Sequence, residues 1–168
     1  MRGGGTPAID LLRRAGIDHR IHRYDPPERH GRERDQRPDY GHDAAASLGV
    51  DPARMFKTLI VTADGNLAAA IVPVDRQLDL RAVASILDAR SAELVDPVVA
   101  ARTAGSPVGG ISPLGMRRAL PTVVDASATG HPTVFVSAGR RGLQVELAPE
   151  ALVRLSTAKI ARIARSWP

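Results

Sequence analysis

The sequence predicts a single mixed α/β domain in which helices flank a central, mixed and largely antiparallel β-sheet of about six or seven strands. A length of 168 residues suits one domain. Short runs of β-forming apolar residues also alternate with helical patterns along the chain. Because hydrophobic residues make up 43% of the chain but aromatic residues only 3%, we expect a core of Ala, Val, Leu and Ile.

The beginning of the chain predicts a helix followed by a strand. Thr6 and Pro7 are typical of the N-cap and first position of a helix, which we place at residues 6–15. Residues 17–24 alternate apolar and polar side chains and predict a half-buried strand. We expect residues 1–5 to be disordered and residues 6–168 to form one domain.

A charged segment precedes the next helix. Residues 25–38 are Pro, Arg, Glu, Asp, Gly, Gln and His with no apolar side chain, so we expect a mobile surface loop there. Residues 42–48 predict an Ala-rich helix closed by Gly49, and residues 52–56 predict a further turn.

The clearest β-signal is a hairpin. Residues 58–63 and 67–74 are apolar, β-rich runs, and the Asp64-Gly65-Asn66 segment between them is typical of a tight turn. We therefore expect these two strands to be antiparallel neighbours.

Shorter elements follow in the second half of the chain. We predict strands at 93–95, 122–125, 133–137 and 144–147, helices at 79–87 and 97–103, and one or two terminal helices within 149–165. The terminal helices would bury Leu152, Leu155, Ile160 and Ile163. No internal repeat is visible, which excludes solenoids and propellers.

Composition excludes several kinds of chemistry. The chain has no Cys, which removes disulfides, thiolate metal sites and a Cys nucleophile. It shows no apolar signal segment and no apolar run of about 18 residues that could span a bilayer. We therefore expect a soluble protein of the cytoplasm without a membrane partner, whose oligomeric state the sequence leaves open.

A basic surplus late in the chain fits a polyanionic partner. The formal net charge is +5, and the late basic residues are Arg140, Arg141, Arg154, Lys159, Arg162 and Arg165. Such a surface could follow the phosphates of a nucleic acid. A solvated helix face would have the same composition, so both interpretations stay open.

Lys57 is a candidate functional residue because the chain has only two lysines against 21 arginines. It stands at the start of an apolar strand, where a compact ammonium could point at a carbonyl or phosphate oxygen. A solvated charge at the end of a strand is the competing interpretation.

Residues 108–115 form the most unusual stretch, which we call the glycine turn. Gly109, Gly110 and Gly115 confine the backbone together with Pro113, and glycine amides can hold an oxyanion or an ester oxygen. The alternative is a tight structural connection.

The patterns of several known sites are missing. The loop at 137–143 carries glycines and arginines that would suit a phosphate, but it lacks the ending of a P-loop. We therefore expect no nucleotide cofactor. Ser112 and Ser137 do not stand in a nucleophile elbow, and His131 is poorly placed as a base. Neighbouring histidines would point to opposite faces of a strand, so we expect no metal.

Several segments together resemble the YbaK/EbsC family of aminoacyl-tRNA deacylases, which also occurs as the editing insertion of bacterial prolyl-tRNA synthetases. The segments are Thr6-Pro7-Ala8, Tyr40-Gly41, Phe56-Lys57-Thr58-Leu59, Gln77-Leu78-Asp79-Leu80, Val108 through Gly115, Leu120-Pro121-Thr122, Val124-Asp125 and Ser137 through Leu147. The resemblance implies a mixed α/β domain that hydrolyses the ester joining an amino acid to the 3′ adenosine of tRNA, without metal or nucleotide.

The resemblance also implies roles for individual residues. Lys57 would position the terminal nucleotide or the ester, and Gly109 and Gly110 would form a backbone wall that admits the aminoacyl group. The residues that would line the substrate pocket are Tyr40, Phe56, Thr58, Ile111, Ser112, Pro113, Ser137, Gly139 and Gln144. In the Cys-specific branch of the family, the substrate's own thiol would attack the ester and leave as a thiolactone.

Two departures from the family pattern bear on function. Family members commonly have Asp where this chain has Gln144, and the segment 26–38 is longer and more charged than usual. We expect tRNA as the partner, with Cys-tRNA(Pro) as the favoured substrate and prolyl-tRNA synthetase as a further partner. Two alternatives stay open: a deacylase for Ala-tRNA(Pro) or another small amino acid, and a tRNA- or synthetase-binding module without turnover.

Overall fold

The computed structural model describes residues 5–27 and 39–168, so the predictions for residues 1–4 and 28–38 lie outside the described residues. The helices are α1 (Pro7–Arg14), α2 (Tyr40–Leu48), α3 (Leu80–Ile86), α4 (Pro97–Ala104) and α5 (Pro149–Ser156). The strands are β1 (His19–Arg23), β2 (Met55–Ala63), β3 (Asn66–Pro73), β4 (Gln77–Leu78), β5 (Ala92–Leu94), β6 (Thr122–Asp125), β7 (Val134–Ser137), β8 (Leu143–Leu147), β9 (Lys159–Ala161) and β10 (Ala164–Arg165). Short 3-10 turns lie at Pro52–Arg54 and Ala126–Gly130.

Eight strands form one mixed sheet in the order β1-β8-β7-β2-β3-β6-β9, with β5 paired to β2. The pairs β1 with β8, β8 with β7, β2 with β3 and β2 with β5 are antiparallel. The pairs β2 with β7, β3 with β6 and β6 with β9 are parallel. The predicted mixed α/β class is confirmed, with a somewhat larger sheet than expected and a separate ribbon of β4 and β10.

Local sequence signals explain where the first elements begin and end. The Thr6 side chain caps α1 by accepting the N–H of Ile9, and Pro7 takes the first helical position. The β2–β3 hairpin turns at Asp64 and Gly65, which both have positive φ angles. The Asp-Gly pair meets that requirement with little strain, as the sequence predicted.

The helices cover both faces of the sheet. Helices α2 and α3 pack on one face, against Met55 and Val61 of β2. Helices α1, α4 and α5 pack on the other, against Phe56 and Ile60 of the same strand. Since successive side chains of a strand point to opposite faces, β2 is buried on both sides at the centre of the domain. No helix within the described ranges is long and apolar enough to cross a membrane.

The prediction of helices through residue 165 is wrong. Helix α5 ends at Ser156 because Thr157 takes a left-handed conformation with φ of 52°. The chain then pairs as β9 with β6 and as β10 with β4. Ile163 is buried as expected, but Ile160 is 49% exposed. The helical spacing of apolar residues was therefore fortuitous, and sheet pairing determines the structure here.

The late basic residues do not share one helix face. Arg140 and Arg141 lie in the loop after β7, Arg154 lies on α5, and Lys159 and Arg165 lie on two different strands. A continuous basic helix that follows a phosphate backbone is therefore not formed.

Candidate functional site

Strand β2 places Lys57 near the middle of the sheet. Met55 packs with Ala44 and Ala45 of α2, whereas Phe56 packs with α1 and α5 on the other face. Because strand side chains alternate, Lys57 points to the face that α2 and α3 cover, which we call the lysine face.

Ser137 and Gln144 lie on the lysine face in β7, which is next to β2, and in β8, which is next to β7. Phe56 pairs with Val136, so Ser137 is the next neighbour of Lys57 in the β2–β7 register. Ser137 pairs in turn with Gln144 across β7 and β8. With strands spaced about 4.8 Å apart, these side chains form a polar row about 10 Å long. The sheet thus aligns three of the residues that the sequence assigned to the site.

The ammonium of Lys57 lies in a crowded, partly apolar environment. Burial lowers the pKa of Lys57 from its ordinary value of 10.5, while the carboxylates of Asp39 and Asp75 act in the opposite direction. The Nζ atom lies 5.2 Å from the ring centroid of Trp167, a cation–π geometry. Lys57 is therefore a partly desolvated cation rather than a freely solvated charge at a strand end.

Lys57 lines an open groove of about 810 Å³ on the lysine face. Gln77, Arg81, Arg165 and Trp167 also line it, so cations and an aromatic ring surround the same hollow. Gly109 and Gly110 do not line it. The groove is thus formed mainly by the β4–β10 ribbon and the beginning of α3.

Four buried side-chain oxygens lack a hydrogen-bond partner within residues 5–27 and 39–168. They are Thr58 Oγ1, Asp75 Oδ1, Gln77 Oε1 and Gln144 Oε1. Asp75 and Gln77 lie beside Lys57, and Gln144 lies at the other end of the polar row. Buried polar atoms are normally paired, so unpaired ones near the half-buried ammonium of Lys57 are consistent with a place for a polar ligand.

The glycine turn is closely packed on both sides of Gly109 and Gly110. A Cβ on Gly109, whose φ is +83°, would lie 2.7 Å from the Tyr40 ring, and one on Gly110 would lie 2.6 Å from the Arg140 carbonyl carbon. The Gly110 N–H donates to the Pro107 carbonyl at 2.9 Å. The Gly109 N–H has no acceptor among the described residues. Of these two amides, only that of Gly110 is therefore already bonded within the turn.

Strand β2 has an interruption in its pairing on one side among the described residues. Strand β7 pairs with β2 only at Met55 and Phe56, and β5 pairs only from Val61 onward. Ile111 of the glycine turn packs against the hydrophobic cluster that contains Ile60, on the face of the sheet opposite Lys57.

The loop after β7 connects the turn to α2 and α1. The Arg141 guanidinium lies 4.8 Å from the Tyr40 ring centroid, and its Nε donates to the Val108 carbonyl. Gly139, with φ of +102°, lies against Thr6. These contacts fix Tyr40 between the loop and the glycine turn.

The structure divides the candidate residues into groups. Lys57, Ser137 and Gln144 share the lysine face, and Tyr40 joins Gly109 through ring contact. Phe56, Thr58 and Ile111 point to the other face, Pro113 is buried in the turn, and Gly139 packs on α1. The buried Ser112 hydroxyl accepts the Leu114 N–H, which gives it a structural partner.

The residue pair Asp39 and Tyr40 links the two main groups. Asp39 interacts electrostatically with Lys57, and the adjacent Tyr40 ring covers Gly109. Lys57 and Gly109 are therefore linked through the beginning of α2, and Gly109 does not line the groove that contains Lys57.

Sequence reasoning missed Asp39, Asp75, Gln77 and Trp167. Trp167 is the single tryptophan of the chain, and its rarity was a signal that could have been used. Asp75 and Gln77 become visible only through burial, because their neighbours along the chain do not reveal that their oxygens lack partners.

The rest of the described structure contains no candidate metal site and a further hollow. Within the described ranges, no group of three or more His, Cys, Asp or Glu residues is arranged to hold a metal ion. A second hollow of about 500 Å³ lies between Asn66, Arg118 and Lys159 and contains none of the predicted site residues.

Comparison with known proteins identifies relatives of this chain. The sequence profile of the aminoacyl-tRNA editing domain family matches residues 39–155. A protein of Enterococcus faecalis, provisionally named Cys-tRNA(Pro)/Cys-tRNA(Cys) deacylase EbsC, is 37% identical over 122 residues, which are 71% of this chain and 73% of that protein.

Longer enzymes match in part. A proline–tRNA ligase of Moorella thermoacetica is 40% identical over 70 residues, which are 42% of this chain but 12% of the ligase. A ligase of Nitratidesulfovibrio vulgaris is 33% identical over 98 residues, or 58% of this chain and 17% of the ligase. The chain is thus similar to a small part of these enzymes.

Solved structures share the fold. A protein described as hypothetical has a TM-score of 0.82 at 24% identity and covers 95% of this chain and 100% of its own. A provisionally assigned trans-editing enzyme for prolyl-tRNA synthetase has a TM-score of 0.79 at 19% identity, with 95% and 96% covered. At these identities the likeness establishes the fold alone.

Proposed function

The chain belongs to the aminoacyl-tRNA editing domain family, and from this membership we propose that it hydrolyses the ester of a mischarged tRNA in trans, with Cys-tRNA(Pro) as the favoured substrate. The name of the Enterococcus faecalis relative and the partial matches to proline–tRNA ligases support this choice of tRNA. They also make prolyl-tRNA synthetase a partner to test by co-purification. Such a reaction would take place with translation in the cytoplasm.

The observation that carries the proposal is the half-buried ammonium of Lys57 near oxygens that have no partner. Lys57 is partly desolvated, and the nearby oxygens of Asp75 and Gln77 are unsatisfied. A purely structural lysine would be expected to satisfy such neighbours by hydrogen bonds. A bound nucleotide with its hydroxyl groups would supply the missing donors, and its phosphate would meet the ammonium.

The glycine turn would contribute one main-chain donor. Because the Gly110 N–H is already bonded to Pro107, that donor would be the Gly109 N–H, while Gly110 would serve as part of the backbone wall. An N–H held in place by the Tyr40 and Arg141 contacts could donate to the ester carbonyl as negative charge develops on its oxygen.

The chemistry would be assisted by the substrate. The cysteinyl thiol loses its proton and its sulfur attacks the ester carbonyl carbon; the bond from that carbon to the ribose oxygen breaks. The ribose oxygen gains a proton, the tRNA leaves with a free hydroxyl, and the amino acid leaves as a thiolactone that water later opens. Orientation of the thiol against the ester can supply about 7–11 kcal/mol of the barrier reduction. No side-chain nucleophile is needed for this route.

This route makes a prediction about substrate choice. Ala has no side-chain nucleophile and Ser has a weaker one, so selection for Cys would arise from the reaction as well as from binding. Binding in an apolar pocket alone distinguishes side chains of this size by about 1–3 kcal/mol.

The test is hydrolysis of tRNA(Pro) charged with Cys, Ala or Ser. We expect rapid release of Cys and slow release of the other two. Rapid release of Ala would contradict the substrate-assisted route and support a deacylase for small amino acids. The family resemblance implies Asp where this chain has the neutral Gln144, which favours a second candidate, a tRNA- or synthetase-binding module without turnover. Binding of tRNA with no release of any amino acid would support this candidate.

A further inference from the structure

We propose that the exposed ring of Trp167 is a stacking platform for the terminal base of the single-stranded 3′ end of RNA, beside Lys57. This inference rests on the proposed function for the identity of the RNA, and it assigns a role to the segment after α5. Trp167 is the only tryptophan of the chain. Its side chain is 54% exposed although it lines the groove that contains the ammonium.

The segment that carries Trp167 is held firmly against the domain. Asp125 Oδ1 accepts the N–H groups of Ile163 and Ala164, both at 2.9 Å. Ala164 and Arg165 pair with β4, and Arg76 donates to the Ser166 hydroxyl at 2.7 Å. An anchored aromatic ring loses little conformational freedom when it binds a ligand.

The contacts that anchor the segment do not explain why the Trp167 ring remains largely exposed. Large aromatic side chains stabilise a fold by being buried, whereas the ring of Trp167 keeps more than half of its surface in solvent. An exposed aromatic ring next to cations is the typical arrangement for stacking a nucleic-acid base while charges attract the backbone.

The surroundings of the ring supply the other contacts that a terminal nucleotide requires. Arg81 and Arg165 line the same groove and are exposed, so either can approach a phosphate. The Gln77 side chain lines the groove as well, and an amide group can hydrogen-bond a base edge. Lys57 lies next to the ring and would then meet the ribose end of the same nucleotide.

The test measures binding of uncharged RNA, so it does not depend on hydrolysis. A short single-stranded RNA ending in CCA, labelled at its 5′ end, is titrated with the full chain and followed by fluorescence anisotropy. We expect Trp167→Ala to weaken binding by about tenfold or more and Trp167→Phe to retain most of it, since stacking of one base has an effect of this size. Val98→Ala, which shortens another exposed apolar side chain, is the matched control and should bind as the unchanged chain does.

Intrinsic fluorescence gives a second readout, because every emitted tryptophan photon comes from Trp167. We expect saturating CCA-ended RNA to quench this emission, and RNA that lacks the terminal adenosine to quench it much less. Unchanged emission, equal quenching by both RNAs, or equal affinity of Trp167→Ala and the unchanged chain would overturn the inference.

The proposed function and this inference can fail separately. Trp167-dependent binding of CCA-ended RNA, without hydrolysis of any mischarged tRNA, would refute the deacylase and retain the platform. Hydrolysis of Cys-tRNA(Pro) together with RNA binding that does not depend on Trp167 would retain the deacylase and refute the platform.

Discussion

The ammonium of Lys57 and the ring of Trp167 lie 5.2 Å apart, measured from Nζ to the ring centroid. One residue belongs to the central strand of the sheet, and the other belongs to the segment after α5. Their contact joins the polar row of the lysine face to a part of the chain that the buried carboxylate of Asp125 helps to anchor.

We predict that Asp125→Ala both destabilises the domain and releases Trp167. Asp125 is 6% exposed and accepts hydrogen bonds from Ile163, Ala164 and Ser127, whose donors would lose their partner. A loss of at least about 2 kcal/mol in the free energy of unfolding is expected. Urea denaturation checks the stability, and a red shift of Trp167 emission checks the release. Asp18→Ala, an exposed control, should change neither, and normal emission from Asp125→Ala would contradict the anchoring role.

Lys57→Met is predicted to raise the stability of the domain at pH 7. Burial is the main influence on Lys57 and lowers its pKa, so the folded state binds the lysine proton less tightly than the unfolded state does. This penalty is present below the lowered pKa and disappears as the pH rises toward the ordinary value of 10.5. The gain from Lys57→Met should therefore shrink between those two pKa values.

The measurement is a pair of urea titrations at pH 7 and near pH 10.5 for both proteins. Lys159→Met removes the other, exposed lysine and serves as the control. An equal gain at both pH values would show that Asp39 and Asp75 fully offset burial, and a loss at pH 7 would show that they outweigh it; either result would contradict the prediction.

Glu146 is predicted to stabilise the domain at neutral pH. Burial opposes its ionisation, but hydrogen bonds from Thr133 and His22 and the charge of Arg54 outweigh burial, and the net effect lowers the pKa of Glu146 below 4.5. The stabilisation is therefore present above pH 4.5 and is lost as the pH falls through the lowered pKa.

Glu146→Gln should cost about 1–2 kcal/mol at pH 7, because the hydrogen bonds lose their charged partner. The difference in the free energy of unfolding between Glu146→Gln and the unchanged chain should become smaller at acid pH. Urea titrations at pH 7 and pH 3 can measure this change. The exposed Glu93→Gln is the control. A difference that persists unchanged at low pH would contradict the assignment.

Gly110→Ala is predicted to destabilise the domain by about 1–3 kcal/mol. The added Cβ would lie 2.6–2.8 Å from backbone atoms of Arg140 and Arg141, which cannot rotate away as a side chain can. Gly130→Ala is a matched control because its Cβ would meet nothing within 4 Å. Thermal unfolding of both variants provides the comparison, and equal stability would show that the glycine turn is not closely packed against the loop.

The sequence predicted elements best where local chemistry determines them. The Asp64-Gly65 turn, the Thr6 cap and the strand at 122–125 follow from residue preferences within a few positions, and the structure confirms them. The wrong prediction of a helix after Ser156 arises because long-range contacts, rather than local preferences, determine the structure there. There, pairing with the distant strands β4 and β6 outweighs an apolar spacing that suits a helix.

The candidate site was also predictable only where residues near one another in the sequence carry the signal. Lys57 was found because lysine is rare in an arginine-rich chain, and Ser137 and Gln144 were found through the family resemblance. That these three side chains share one face depends on the β2–β7–β8 register. The register, and the arrival of Trp167 beside Lys57, depend on long-range contacts that no local pattern encodes.

The central claim is that the Lys57 ammonium orients an acylated tRNA end, and deacylation of Cys-tRNA(Pro) by Lys57 variants tests it most directly. We expect Lys57→Ala to lower the rate by about 100-fold or more. Lys57→Arg should restore little of it, because a planar guanidinium does not fit the space of a compact ammonium, while Lys159→Ala keeps the full rate. A rate near that of the unchanged chain in a folded Lys57→Ala variant would contradict the claim.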